Sequence, residues 1–263
     1  MLKDITIGQY IARDSLVHSL DARIKIIITA VLIAALFMVD TFTGFGIFFL
    51  FLLISVLLSK LPVMRVVKGL KPILFLILLT LFIHVFLTGG GEVLWSWKFI
   101  SIESNGVYTG FFMVTRIFLL IMFTSLLTLT TSPLKLTDGI EYILSPLKRF
   151  GVPASELSMM MTIALRFIPT LLEEADKIMK AQMARGADFE SGNLIERAKS
   201  LVPLLVPLFI SAFRRADDLA LAMESRCYRG GEGRTRLHEM KYHYTDFIAL
   251  FIILCLSVLV SNF

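Results

Sequence analysis

Few residues in this chain are of types that do chemistry, and their spacing decides which of them count. Glu173, Glu174 and Asp176 resemble a paired-carboxylate site. General acid–base work needs such groups to converge on one reacting atom. On a helix these three spread round the circumference, so they read as a solvated face. His84 stands alone in an apolar run, either as a proton or metal group or as a structural residue near the outer end of a span. Arg116 also lies within an apolar run. Intramembrane charge is costly and generally purposeful, but an arginine near the outer half can equally snorkel to the interface. Gly89–Gly91 is followed by no phosphate-binding helix, and no Gly-x-x-x-x-Gly-Lys-Ser/Thr loop occurs, so this chain is not expected to hydrolyse ATP itself. Cys227 and Cys255 fall in different segments, which argues against a disulfide, and no metal-ligand spacing is present. No catalytic residue, metal site or resident cofactor is assigned.

Two arginines remain. Shifting the chain by 41 residues aligns Glu174–Gly186 with Arg215–Cys227. Ala175 then meets Ala216, Asp176 meets Asp217, Ile178 meets Leu219, Ala181 meets Ala222 and Arg185 meets Arg226. Both stretches read as amphipathic helices ending small–Arg–small: Ala184–Arg185–Gly186 and Ser225–Arg226–Cys227. Chance similarity between Ala-rich helices is one reading. The other is two equivalent plugs, each with a cation at a helix C-terminus, where the dipole favours it. Two plugs imply a partner with two copies of one groove.

The surrounding chain suits a lipid solvent. It has 263 residues, 56% of them hydrophobic, with mean hydropathy +0.79; soluble domains run nearer 45–50% apolar. No secretory signal is expected, because the first apolar run begins only at Ile26, after three acids and four bases. A spanning helix needs about 20 apolar residues. Residues 26–59 are too long for one span and fit two, with a turn near Asp40–Thr43. Pro72–Leu87 gives a third, Val107–Thr131 a fourth and Phe247–Val260 a fifth, with Tyr242 and Tyr244 as interfacial anchors. Lys3, Arg13, Arg23 and Lys25 precede span one; Lys60, Arg65, Lys68 and Lys71 follow span two; and Ser132–His243 holds sixteen of the 26 bases. The outer loop Thr88–Gly106 carries only Lys98. Five spans with the N-terminus inside put every basic block in the cytosol. The net charge of +5 is thereby explained without nucleic acid. The expected class is an all-α integral membrane protein of about five spans plus long cytosolic or interfacial helices. Its parts are residues 1–131, a cytosolic domain at 132–243 and a last span at 244–263.

Within 132–243 three helices are expected: Pro133–Phe150 with Ser132 as N-cap, Pro153–Arg185 and Asn193–Arg226. Leu171, Leu172, Ala175, Ile178, Met179, Gln182 and Met183 form one helical face. The apolar halves Leu157–Ile168 and Leu201–Phe213 are too short to span and should lie at the interface or pack under the spans. Pro169, Pro203 and Pro207 should kink or start these helices. Asp21, Arg23 and Lys25 should organise the cytosolic mouth of span one through ion pairs.

These residues carry a family resemblance. Ser15–Lys25 resembles the entry motif of the transmembrane T component of energy-coupling factor transporters, with Ala22 in place of the usual proline. Thr131–Ser132–Pro133, Ser145–Arg149, Gly151–Val152–Pro153, Leu165–Leu171, Ala181–Gly186 and Arg214–Asp217 continue the match over most of the chain. The resemblance implies a bacterial or archaeal cell-membrane protein, part of an ABC importer for vitamins or metal ions. It implies as partners two cytosolic ABC ATPases, alike or different, which bind the ATP, and one membrane-embedded substrate-binding S component. It implies that Ala184, Arg185, Gly186, Ser225, Arg226 and Cys227 dock into the ATPase pair, with Cys227 departing from the usual glycine. Met159, Met160 and Met161 suit contact with the S component, since thioethers repack against varied partners; the alternative is a plain core role. Rival classes are a self-sufficient secondary transporter, which would repeat its spans rather than its cytosolic helices, a membrane scaffold, and a membrane enzyme, for which the spans offer few groups.

Overall fold

The computed structural model describes residues 10–97, 100–189, 193, 195, 199–230 and 240–261. Lys3, Lys98, Arg197, Arg234, Arg236 and the opening of the expected third cytosolic helix at 194 and 196–198 lie outside the described residues. The chain divides into two compact units, residues 8–140 with 239–263, and residues 141–238.

In the first unit a short turn of helix, α1 (Leu16–Ser19), leads into α2 (Ala22–Met38). The Asp21 carboxylate caps α2 by accepting from the Arg23 amide at 2.8 Å. Ala22 is the first helical residue, the one position in a helix where proline costs nothing, so its replacement of the family's proline leaves the element intact. The chain turns at Val39–Thr41, close to where the sequence placed the turn, and Thr41 caps α3 (Phe42–Ser59). α4 (Val63–Lys68), a single 3-10 turn at Lys71–Ile73 and α5 (Leu74–Leu87) follow. The basic stretch after span two is therefore helical rather than loop, and the third apolar segment reaches back to Val63. The loop after α5 holds a hairpin that its polarity did not announce: β1 (Val93–Trp97) pairs antiparallel with β2 (Ile100–Glu103), with a bulge between Val93 and Trp95. Aromatic and β-branched residues favour such a pleat. α6 (Ser104–Thr130) has 27 residues, about 40 Å of helix at about 1.5 Å per residue, enough to cross with tilt. Gly106 lets it approach α5, because a Cβ there would lie 2.7 Å from both the His84 and Thr88 carbonyls. α7 (Pro133–Leu144) leaves this unit, and the last helix, here α10 (Tyr244–Ser261), returns to it.

Hydrogen bonds sort the helix ends of this unit onto two faces. On one face the Ile11 amide donates to the Leu129 carbonyl, Lys25 Nζ to the Thr130 carbonyl, and Arg13 to the Lys60 carbonyl. The Asp21 amide donates to Asp246 there at 2.9 Å. The starts of α2 and α10 and the ends of α3 and α6 thus share one side. On the other side Arg116 donates to the Val39 carbonyl at 2.8 Å, and Val39 and Val260 both lie against Gly44. That alternation is what five successive crossings require. Among the described residues, four helical segments are long and apolar enough to cross a bilayer by length and composition: 42–59, 63–87, 104–130 and 154–184. α10 is a shorter apolar helix. The core between α2, α3, α6 and α10 is filled by Leu36, Phe45, Phe48, Leu119 and Val260, and Phe45 packs on Phe112 with ring centroids 4.7 Å apart. The all-α class holds, with the hairpin as its one departure.

One expectation is corrected among the buried polar groups. Arg23 pairs with Asp21 at 2.8 Å with both side chains nearly wholly buried, but Lys25 joins no ion pair among the described residues and instead donates to the His18 and Thr130 carbonyls. The Tyr242 ring lies under the Arg23 guanidinium at 3.8 Å, and Arg23 also donates to the Met240 carbonyl. Arg116 lies among Phe37, Phe45 and Phe112 and places its charge at the C-terminus of α2, where a cation is favoured. His84 bonds through Nδ1 to the Thr88 hydroxyl.

Burial by itself would raise the Asp21 carboxyl, but hydrogen bonds and charge from Arg23 outweigh it and hold it below the usual range. A depressed carboxylate stabilises the fold fully above its ordinary value and loses that contribution as pH falls through the lowered one. Arg23→Ala should therefore cost about 3–5 kcal/mol, the penalty for stranding one buried charge. The loss in thermal stability of the detergent-solubilised protein should be the same from pH 6 to pH 8.

Candidate functional site

The second unit contains the two long helices in which the sequence echo lies. A 3-10 segment, Ser145–Phe150, closes the piece begun by α7 and stops at Gly151, whose φ is +86°. Ser132 caps α7 weakly, accepting from the Lys135 amide at 3.5 Å. Next come α8 (Ala154–Ala184) and α9 (Val202–Ser225). Both run through an internal proline, Pro169 in α8 and Pro207 in α9, each of which deletes one rung of the hydrogen-bond ladder.

The two helices pack on each other, and the packing follows the repeat. Phe167, Leu171, Glu174, Ile178 and Gln182 of α8 are all half-buried, and so are their counterparts 41 residues on, Leu208, Ala212, Arg215, Leu219 and Met223 of α9. One face of each repeat meets the same face of the other, as a local two-fold would arrange them. The expected α8 stripe is correct except at Met183, which is exposed. Of the three acids only Glu174 departs from the expected solvated face. Asp176 forms a surface pair with Lys180 one turn on, and Glu173 is exposed. Glu174 faces α9, accepting from Arg215 at 2.8 Å and from the Ser211 hydroxyl. Sequence reasoning missed it, although the signal was present. The shift aligns Glu174 with Arg215, and a two-fold brings equivalent positions together with opposite charge.

The two arginines close their helices in the same way. Arg185 is the C-cap of α8 with φ −89° and ψ 6°, and Arg226 the C-cap of α9 with φ −94° and ψ 14°. After α8 the Gly186 amide donates to the Met183 carbonyl and the Ala187 amide to the Gln182 carbonyl, each at 3.0 Å. After α9 the Cys227 amide donates to Glu224 at 2.9 Å and the Tyr228 amide to Met223 at 3.0 Å. Both pairs are the 5→2 and 6→1 bonds of a Schellman motif. The motif requires a left-handed residue directly after the arginine. Gly186 supplies it at φ +89°, and Cys227 at φ +58°. Glycine adopts that region freely, whereas a Cβ there costs about 1–2 kcal/mol. The third residue of each triplet is thus set by backbone geometry. With the backbone satisfied internally, Arg185 and Arg226 are exposed, and neither guanidinium bonds to another described residue. Ala184 and Ser225 are likewise exposed. Of the three methionines, Met159 is half-buried while Met160 and Met161 are exposed at 53% and 44%. Cys227 and Cys255 are free thiols.

The profile of the family described as "CbiQ: Cobalt transport protein" matches residues 13–238. The chain belongs to this family. Its CbiQ-family relatives include the energy-coupling factor transporter transmembrane protein EcfT of Clostridium kluyveri, 57% identical over 98% of this chain and 97% of the relative. The proteins of the same name from Acidaminococcus fermentans and Thermosediminibacter oceani are each 54% identical, over 99% and 100% of this chain and 97% and 99% of their own lengths. The two arginine caps therefore sit in a CbiQ-family transmembrane transport component, as the motifs of the sequence implied.

If φ alone dictates the residue after each arginine, the two sites should respond oppositely. A Cβ at Gly186 meets no atom within 4 Å, so Gly186→Ala tests backbone strain in isolation. It should loosen the α8 cap by about 1 kcal/mol and speed hydrogen exchange at the Ala187 amide about fivefold. Cys227→Gly should slow exchange at Tyr228 by a similar factor.

Proposed function

We propose that this chain is the energy-coupling subunit of an energy-coupling factor ABC importer for vitamins or metal ions. It joins two cytosolic ATPases, which bind the ATP, to a membrane-embedded substrate-binding S component. The observation that carries the reading is the pair of equivalent helix ends at Arg185 and Arg226. Each presents an exposed cation on an internally bonded cap, and two such ends fit a partner with two copies of one groove. ABC ATPases work as a pair and supply that symmetry. The dipole of each helix reinforces the cation at its C-terminus, so the groove that receives it should be acidic. Arginine suits this better than lysine, because its planar fork bonds a carboxylate in fixed directions.

The face that gathers the starts of α2 and α10 carries Arg13, with Lys60, Arg65 and Lys68 beside it on the following turn and α4. The positive-inside rule assigns that face to the cytosol, along with the unit that holds the arginine caps. On this reading α8 lies beside the membrane despite its length, since Glu173, Asp176, Lys177 and Lys180 crowd its second half. Its apolar first half, with Met160 and Met161 exposed, and the exposed Val202, Leu205, Val206, Phe209 and Ile210 of α9 offer apolar surface to the S component. The reading supports a supporting scaffold less well, because a scaffold has no use for two matched cationic tips.

Truncating one partner of a desolvated interfacial charge pair costs about 2–5 kcal/mol. Arg185→Ala or Arg226→Ala should weaken co-purification of the ATPases, and the double substitution should abolish it while the protein still inserts in the membrane. Full ATPase recovery with the double variant would refute the docking role.

A further inference from the structure

We propose that the Glu174–Arg215 ion pair is a pivot that fixes the spacing of the two arginine tips, making these two residues positioning residues for coupling. The inference rests on the coupling function above and adds to it the point about which the helices move. Glu174 and Arg215 are the same position of the two repeats, 41 residues apart, and they touch at 2.8 Å. Under a local two-fold a residue meets its own counterpart only where the two helices cross. Small side chains adjoin the pair: Ala175 is buried at 8%, and Ser211 and Ala212 are half-buried, with the larger Leu171 and Ile178 half-buried a turn away on either side. Small apolar surfaces let helices approach closely but interlock weakly, so they permit rotation. A charge pair instead sets register, the best-attested use of ions between helices. Ser211 bonds the same carboxylate one turn before Arg215, so Glu174 is held from two successive turns of α9.

The lever arms are equal. Arg185 lies 11 residues beyond Glu174, and Arg226 lies 11 beyond Arg215. Each arm is about 16 Å long at about 1.5 Å of rise per residue. On the other side of the crossing Pro169 and Pro207 interrupt each ladder, so the arms beyond the pivot are stiff while the segments before it can bend. Side chains 41% and 23% exposed form a pair that contributes little to static stability. Its value is geometric: without it the tips have no fixed separation, and closure of the ATPases would rotate the arms without moving anything upstream.

The test uses the full complex with its ATPases in liposomes. Nitroxide labels go at the equivalent positions Ala181→Cys and Ala222→Cys, in a Cys227→Gly, Cys255→Ser background. Pulsed electron resonance should give one narrow separation that shifts between the nucleotide-free and vanadate-trapped ATP states. Glu174→Arg should broaden the distribution and cut the nucleotide-driven shift about tenfold, a usual size for coupling between sites. The ATPases should still co-purify and hydrolyse ATP, and the melting temperature should hardly change. The swap Glu174→Arg with Arg215→Glu should restore the narrow, responsive separation. A narrow and responsive separation in Glu174→Arg alone, or a swap that restores nothing, overturns the pivot while leaving docking intact. If the parent complex carries no ATPases, the coupling function itself falls.

Discussion

A helix cannot end without disposing of its last carbonyls, and this requirement organises the unit that holds α8 and α9. At both α8 and α9 the chain turns back through one left-handed residue and returns two amides to the open carbonyls. The backbone then needs nothing from outside. The side chain at the cap, an arginine in each case, is released from any structural duty and left in solvent with its charge added to that of the helix end. Had the cap been built by the side chain itself, the same arginine would have been consumed in holding the helix shut.

The membrane unit solves a related problem at helix starts. Asp246 stands at the third position of α10 and accepts from the His243 amide at its own helix start, half of a capping box. Its second oxygen accepts from the Asp21 amide, at the start of α2. One buried carboxylate thus joins the first and last spans at their shared end, and Arg23 closes the joint by bonding Asp21, stacking on Tyr242 and reaching the Met240 carbonyl. Buried polar groups are tolerable only when every member is satisfied, and here each is. The joint brings the final span back beside the first although more than two hundred residues separate them in the chain.

Most of the helices were legible in the sequence because lipid-facing runs, capping residues and glycine stops are local signals. Ser132, Gly151, Pro153 and Arg185 all mark boundaries within a residue or two of those found. The arginine tips were legible because they repeat. Contacts between distant segments were not. The Arg23 guanidinium on the Tyr242 ring joins residues more than two hundred apart in the chain. The Val39 carbonyl that accepts from Arg116 is 77 residues away from it. The hairpin within 93–103 was hidden because its short strands look like any polar-flanked outer loop. Glu174 was hidden for a subtler reason: its helix neighbours are genuine surface charges, and only the partner helix distinguishes it from them.

The two arginine caps are equivalent in hydrogen bonding but unequal in strain. Gly186 takes its left-handed conformation without a steric penalty, whereas Cys227 carries a side chain into the same region. The thiol also occupies space that a glycine would leave open, directly beside Arg226 and exposed to solvent. A partner with two identical grooves would therefore meet two different plugs, one slim and relaxed, one bulkier and held at about 1–2 kcal/mol of conformational cost. Grooves that accept both equally must be wide at the residue after the arginine. Grooves that discriminate would seat α8 and α9 each in its own place.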